Sequence, residues 1–251
     1  MPTTVPCDDV CFPCPADGAE LRAFTAWPAH GAKSPAVVLI PDVRGVYDFY
    51  RDLTRTLAAE GFFAVALDIY SREGVPDLPD MDSVFTWIRE LPDERVLGDV
   101  AAAVGFAASH EHCTGAVAVM GYCLGGQYAL MSACRDARLS ACVSWYGMLR
   151  QEAITPKKPR HALDMVPELH CPYLGLFGGD DALIPAADVE ELRARLSQTG
   201  KEFEIRIYPG AGHAFFNSTR ADTYRPKAAK DAWPRAVGFL RRHRNDPARP
   251  L

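Results

Sequence analysis

The chain has 251 residues, 48% hydrophobic and 24% charged, with a formal net charge of −5. That composition supports a full buried core and excludes a disordered or fibrous chain, while a net negative charge with dispersed Lys and Arg excludes a nucleic-acid partner. No apolar run approaches a bilayer's thickness, and Met1-Pro2-Thr3-Thr4 lacks a charged region followed by an apolar one, so a cytoplasmic protein that does not enter a membrane is expected.

In chain order, residues 1–17 read as an N-terminal extension containing Cys7, Cys11 and Cys14. Three thiolates need a fourth ligand for a closed metal site, and no Cys/His pair stands nearby, so no metal is expected. The eight Cys of the chain read as mostly reduced. Asp17-Gly18 is a hairpin signal and Glu20 to Trp27 alternates, which predicts two antiparallel strands at the start of the fold. Ala36 to Ile40 is a continuous apolar run of the kind covered on both faces, and it breaks into the loop Pro41-Asp42-Val43-Arg44-Gly45. Tyr47 to Glu60 predicts an amphipathic helix stopped by Gly61, and Phe62 to Leu67 the next buried strand, leading into Asp68-Ile69-Tyr70-Ser71-Arg72. Helical patterns follow over Met81 to Leu91 and Glu94 to His110. The cluster His110, Glu111, His112 and Cys113 at that helix end is read as a favourable dipole contact, because adjacent side chains point apart.

The run Ala116 to Met120 then leads into Gly121-Tyr122-Cys123-Leu124-Gly125-Gly126, with a predicted helix over Leu124 to Ala133 behind it. Strand, G-x-C-x-G, helix is the pattern of a sharp turn that holds a nucleophile clear of a parallel sheet. The glycines have a steric reason, since a Cβ two residues either side of the nucleophile would collide where strand and helix approach. Cys123 at the tip would face the positive end of a helix, which favours thiolate.

Leu139 to Trp145 is a further strand, and Gly147 to Cys171 is Pro-rich and irregular, which predicts a lid or pocket wall over 147–171. Pro172 to Phe177, Ala186 to Thr199, Glu202 to Tyr208 and Lys227 to His243 continue the alternation of strand and helix. The expected architecture over 1–251 is therefore one α/β domain, a doubly wound, mostly parallel sheet with helices on both faces. Two later strand-end loops carry Asp181 and His213, so the chain order is nucleophile, acid, histidine, as in an α/β-hydrolase triad. His213 would exchange the thiol proton and activate water, and Asp181 would fix its tautomer; Asp180 is the rival acid.

Gly-Tyr-Cys-Leu-Gly-Gly, Gly-Gly-Asp-Asp-Ala-Leu-Ile-Pro and Ala-Gly-His-Ala-Phe resemble the dienelactone hydrolase (carboxymethylenebutenolidase) family over about residues 18 to 243. The resemblance implies an α/β-hydrolase fold and a monomeric, cofactor-free hydrolase of a lactone or small ester, with Cys123, Asp181 and His213 as triad. It implies an oxyanion hole from the backbone N–H groups of Leu124 and Val43. It also implies a nucleophile-modulating carboxylate at Asp42, where the family has a longer Glu, and a substrate-binding cation at Arg72. The family's second Arg falls on Asn217 here, with Arg220 three residues further on. Tyr122 and Tyr146 are candidate pocket walls. Other readings of the same residues are a generic carboxylesterase or thioesterase, a silent small-molecule binding protein, and a redox thiol at Cys123.

Overall fold

The computed structural model describes residues 5–244, leaving 1–4 and 245–251 outside the described residues. The first strand, β1 (Cys7–Pro13), is drawn from the expected N-terminal extension and pairs antiparallel with β2 (Glu20–Ala26), closing a hairpin around Asp17-Gly18. β3 (Ser34–Ile40) is followed by α1 (Asp48–Ala59), and β4 (Phe63–Leu67) by α2 (Met81–Glu90) and α3 (Asp93–Ser109). β5 (Cys113–Tyr122) runs into α4 (Leu124–Ala133), after which come β6 (Leu139–Trp145), α5 (Ala162–Met165), β7 (Tyr173–Gly178), α6 (Ala186–Leu196), β8 (Phe203–Tyr208) and α7 (Pro226–Arg242).

The strands form one eight-stranded sheet in the order β1-β2-β4-β3-β5-β6-β7-β8, parallel from β4 to β8 with β2 the antiparallel turn-around. Central strands covered on both faces read as near-continuous apolar runs, as in β3 and β4 and in β5 from Ala116 to Met120, while β6 is buried along its whole length with Ser140 and Ser144 among its apolar residues. The order reverses at β3, which neighbours β4 on one side and β5 on the other. A crevice opens there, outside the carboxyl ends of the strands.

The segment 147–171 departs from the sequence expectation. Instead of standing over a pocket it is pinned into the body of the fold by Lys158, which is 2% exposed. Its Nζ lies 2.6 Å from Asp93 Oδ1 and 2.8 Å from the Tyr128 hydroxyl. Tyr128 donates to Asp93 at 2.9 Å, and Gln151 reaches the second carboxylate oxygen at 3.3 Å. Only Met148 of the segment lines the cavity described below. Burial opposes the charge on Lys158 and pulls its pKa down, but every polar group of the cluster has a partner. Removing one partner strands the other, so Lys158→Met is expected to cost about 3–5 kcal/mol in urea unfolding. Adding Asp93→Leu to it should recover a good part of that loss.

Candidate active site

The turn between β5 and α4 is forced by the contact of three backbones. A Cβ on Gly121 would lie 1.9 Å from Gly125 O, and one on Gly125 would lie 2.1 Å from Ile40 O. Contacts that short with main chain have no cheap relief, so glycine is required at both positions. Cys123 between them takes φ 55° and ψ −116°, with its N–H bonded to Trp145 O at 3.0 Å and its C=O accepting from Gln127 N at 3.1 Å. No side chain caps the start of α4, and the first N–H groups of a helix have no intrahelical partner. Leu124 is the first helical residue.

On the same rim two loops are stitched together by main chain. Gly179 N donates to Tyr208 O at 2.8 Å and Asp180 N to Ala211 O at 2.9 Å, which fixes the loop after β7 against the loop after β8. Asp181 Oδ2 is 2.9 Å from His213 Nδ1, and Asp181 Oδ1 accepts from Leu183 N at 2.9 Å. The Asp181 carboxylate is wholly buried, whereas the rival Asp180 is exposed. A carboxylate only accepts, so Nδ1 carries a proton and Nε2 faces away from Asp181. Nε2 is buried with no partner in hydrogen-bond geometry, and its ring shares a cavity with Cys123. Burial opposes the imidazolium, but the Cys123 sulfur and the Asp181 carboxylate outweigh it and raise the His213 pKa to about 10. Tyr146 packs edge-on against the His213 ring at 5.2 Å. Cys123, Tyr146 and Ala214 are the non-glycine residues with positive φ among those described, and all three sit here.

The cavity has a volume of about 310 Å³. Cys123, His213, Asp42 and Val43 line it, together with the cations Arg44 and Arg220 and an apolar wall from Leu78 to Ile88. The Tyr70 hydroxyl donates to Val43 O, anchoring that loop. Asp42 is 6% exposed; its Oδ1 accepts the Arg44 backbone N–H at 2.9 Å, and burial pushes its pKa up.

Four substrate-contact expectations are corrected by position. Arg72 does not reach the cavity: its guanidinium lies 2.6 Å from buried Asp99 and 2.7 Å from Asp17, tying the N-terminal hairpin to α3. Asn217 is buried, donating to Tyr47 at 2.7 Å and accepting from the Thr219 hydroxyl at 2.7 Å. Tyr122 lies in the core, stacked on Trp145, and Tyr146 stands behind His213 without lining the cavity. The sequence reading missed Arg44 and the stripe of α2 as lining groups, although the stripe's helical spacing was visible. His110 and His112 stack on Phe63 and Trp27, each at 4.5 Å, and among the described residues no three His, Cys, Asp or Glu are grouped to hold a metal. Nor is any described helix long and apolar enough to cross a membrane.

The model of the dienelactone hydrolase family matches residues 21–244. A Yersinia pestis protein provisionally named carboxymethylenebutenolidase is 34% identical over 91% of this chain and 86% of its own length. A Bradyrhizobium protein provisionally named 2-oxo-3-(5-oxofuran-2-ylidene)propanoate lactonase is 36% identical over 90% of this chain and 91% of its own. A crystal structure from Klebsiella pneumoniae, provisionally named dienelactone hydrolase, superposes with a TM-score of 0.86 at 32% identity, covering 94% of this chain and 99% of that one.

The His213 titration has a direction that stability measurements can read. A native pKa raised above an unfolded value near 6.5 contributes stability that is whole below that pH and lost as pH rises through about 10. The stability difference between wild type and His213→Gln in urea should therefore shrink by a few kcal/mol across that window.

Proposed function

Because the chain belongs to the dienelactone hydrolase family, we propose that it hydrolyses a lactone or small carboxylic ester through an acyl intermediate on Cys123. The observation that carries this reading is the buried Asp181–His213 hydrogen bond of 2.9 Å, with the second ring nitrogen left unpartnered in the cavity that Cys123 lines.

The Cys123 thiol gives its proton to His213 Nε2, its sulfur attacks the carbonyl carbon, and the carbonyl electron pair moves onto the oxygen. The resulting oxyanion takes hydrogen bonds from the Leu124 and Val43 N–H groups, each worth ~3 kcal/mol to the transition state. Collapse breaks the bond from carbonyl carbon to ester oxygen, and that oxygen receives a proton from His213 Nε2. For a lactone this opens the ring and leaves a thioester. Water then gives its proton to Nε2 and attacks the thioester carbon, and the thiolate departs as the leaving group. Asp181 holds the imidazolium in place through both steps without itself taking the proton. Asp42, which lines the same cavity as Cys123 and whose pKa burial pushes up, modulates the nucleophile.

With Arg72 committed to Asp99 and Asp17, recognition of a substrate carboxylate falls to the cavity cations. Arg220 is available for it, since among the described residues it has only a long ion pair, to Asp222 at 3.5 Å. Charge-assisted hydrogen bonds of this kind contribute about 1.5–3 kcal/mol. Arg220→Ala is thus expected to raise KM for carboxylate-bearing lactones by roughly tenfold or more and to spare neutral esters, whereas Arg72→Ala lowers the melting temperature and leaves that preference intact.

The mechanism is tested by burst release of p-nitrophenol from p-nitrophenyl acetate. Wild type should show a burst, and Cys123→Ala should lose turnover by at least ~10³-fold. Turnover that survives Cys123→Ala, in protein with unchanged folding, removes the covalent reading.

A further inference from the structure

Met81, Val84, Phe85 and Ile88 recur on α2 at i, i+3, i+4 and i+7, which makes one apolar stripe. Such a stripe ordinarily packs into the core. Here only Ile88 is buried, Met81 is 54% exposed, and all four line the cavity beside the nucleophile. Leu78 and Pro79 extend the same wall, and Leu183, 37% exposed, adds a further apolar side chain to the lining.

The helix is fastened by other groups. A capping box of Asp80 and Ser83 fixes its first turn, and Trp87 packs on Tyr70 with ring centroids 5.0 Å apart. Arg89 pairs with Glu152 at 3.0 Å and Glu90 with Lys157 at 2.5 Å, so segment 147–171 holds its last turn. Val84 is half-buried against the core, but none of these attachments uses Met81 or Phe85. Leaving apolar surface uncovered forfeits about 25 cal/mol per Å² of burial, which a ligand lying on it would recover.

The cavity is thereby two-sided, with Asp42, Arg44 and Arg220 in its polar lining and a largely apolar wall on α2 and the segment before it, interrupted by Asp80. We propose that this stripe is the subsite for an apolar body of the substrate, an alkyl chain or aryl ring attached close to the reacting carbonyl, which makes Met81, Val84 and Phe85 specificity-determining residues. The proposal rests on Cys123 being the nucleophile. It narrows the substrate class to esters or lactones that carry an apolar body beside the reacting carbonyl.

Two series of esters test it: p-nitrophenyl acetate, butyrate and hexanoate, which vary the acyl side, and methyl, butyl and hexyl thioacetates, which vary the leaving side. In at least one series kcat/KM is expected to rise by up to ~4-fold for each added methylene, the worth of burying that group. Phe85→Ser and Val84→Thr should flatten that slope, while Thr86→Ala, exposed and outside the cavity, should keep it. If Phe85→Ser proves unstable, Val84→Thr, which nearly conserves volume, decides the matter. Flat profiles in both series, or slopes unchanged in both stripe variants, overturn the subsite. Turnover insensitive to Cys123→Ala overturns instead the reading beneath it, so the two failures are distinguishable.

Discussion

The site depends on one close approach, in which β3, β5 and the first turn of α4 touch through bare main chain at Gly121 and Gly125. With Cβ positions at 1.9 and 2.1 Å from opposing carbonyl oxygens, there is no second way to pass from strand to helix at that spot. The residue between the glycines must turn at φ 55°, and its side chain is carried off the sheet to the unsatisfied N–H end of a helix. Cys123 is therefore held by packing rather than by its own preference. Backbone strain of this sort costs ~1–3 kcal/mol per residue and persists only when surrounding structure over-determines it. Tyr146 and Ala214, the other two strained residues, brace His213 from behind and from the next position in the chain.

Around that fixed point, charge is sorted by burial. The Asp181 carboxylate is withdrawn from water and spends its oxygens on His213 and on the Leu183 N–H, which holds the ring and favours its charged form. Arg72 shows the same logic working against a binding role. Freeing its guanidinium for a ligand would strand Asp99, whose side chain is 4% exposed, and an unpaired buried carboxylate costs more than an exposed cation gains. Arg44 and Arg220 make no salt bridge to a buried acid among the described residues, though both act on Asp42 through space, and both stand on the cavity.

Two segments exchange the parts that their patterns suggest. The Pro-rich stretch 147–171 has no periodicity, yet it is buried through Leu149, Leu163, Met165, Val166 and Leu169 and through Lys158, which finds Asp93 and Tyr128 in one place. Helix α2 has a clear apolar stripe, yet it stays at the surface because the space beneath that stripe is the cavity itself. Periodicity reports that a face is to be covered, and it is silent about whether the cover is protein or ligand.

The sequence by itself determined the alternating α/β order, the tight strand-to-helix turn at Cys123 and the chain order of Cys123, Asp181 and His213. Those follow from local rules: apolar runs of strand length, glycines at a turn that excludes Cβ, and loops at strand ends. Helix limits came within a residue or so for α1, α2, α3 and α7, since caps and glycines are also local. Only the tertiary structure decided which charged and aromatic side chains face the cavity. Arg72, Asn217, Tyr122 and Tyr146 all stand at plausible positions in the chain, but each is claimed by a partner brought from a distant segment: Asp99, Tyr47, Trp145 and His213. A long side chain goes to the nearest group that needs it, and nearness of that kind exists only after the chain has folded.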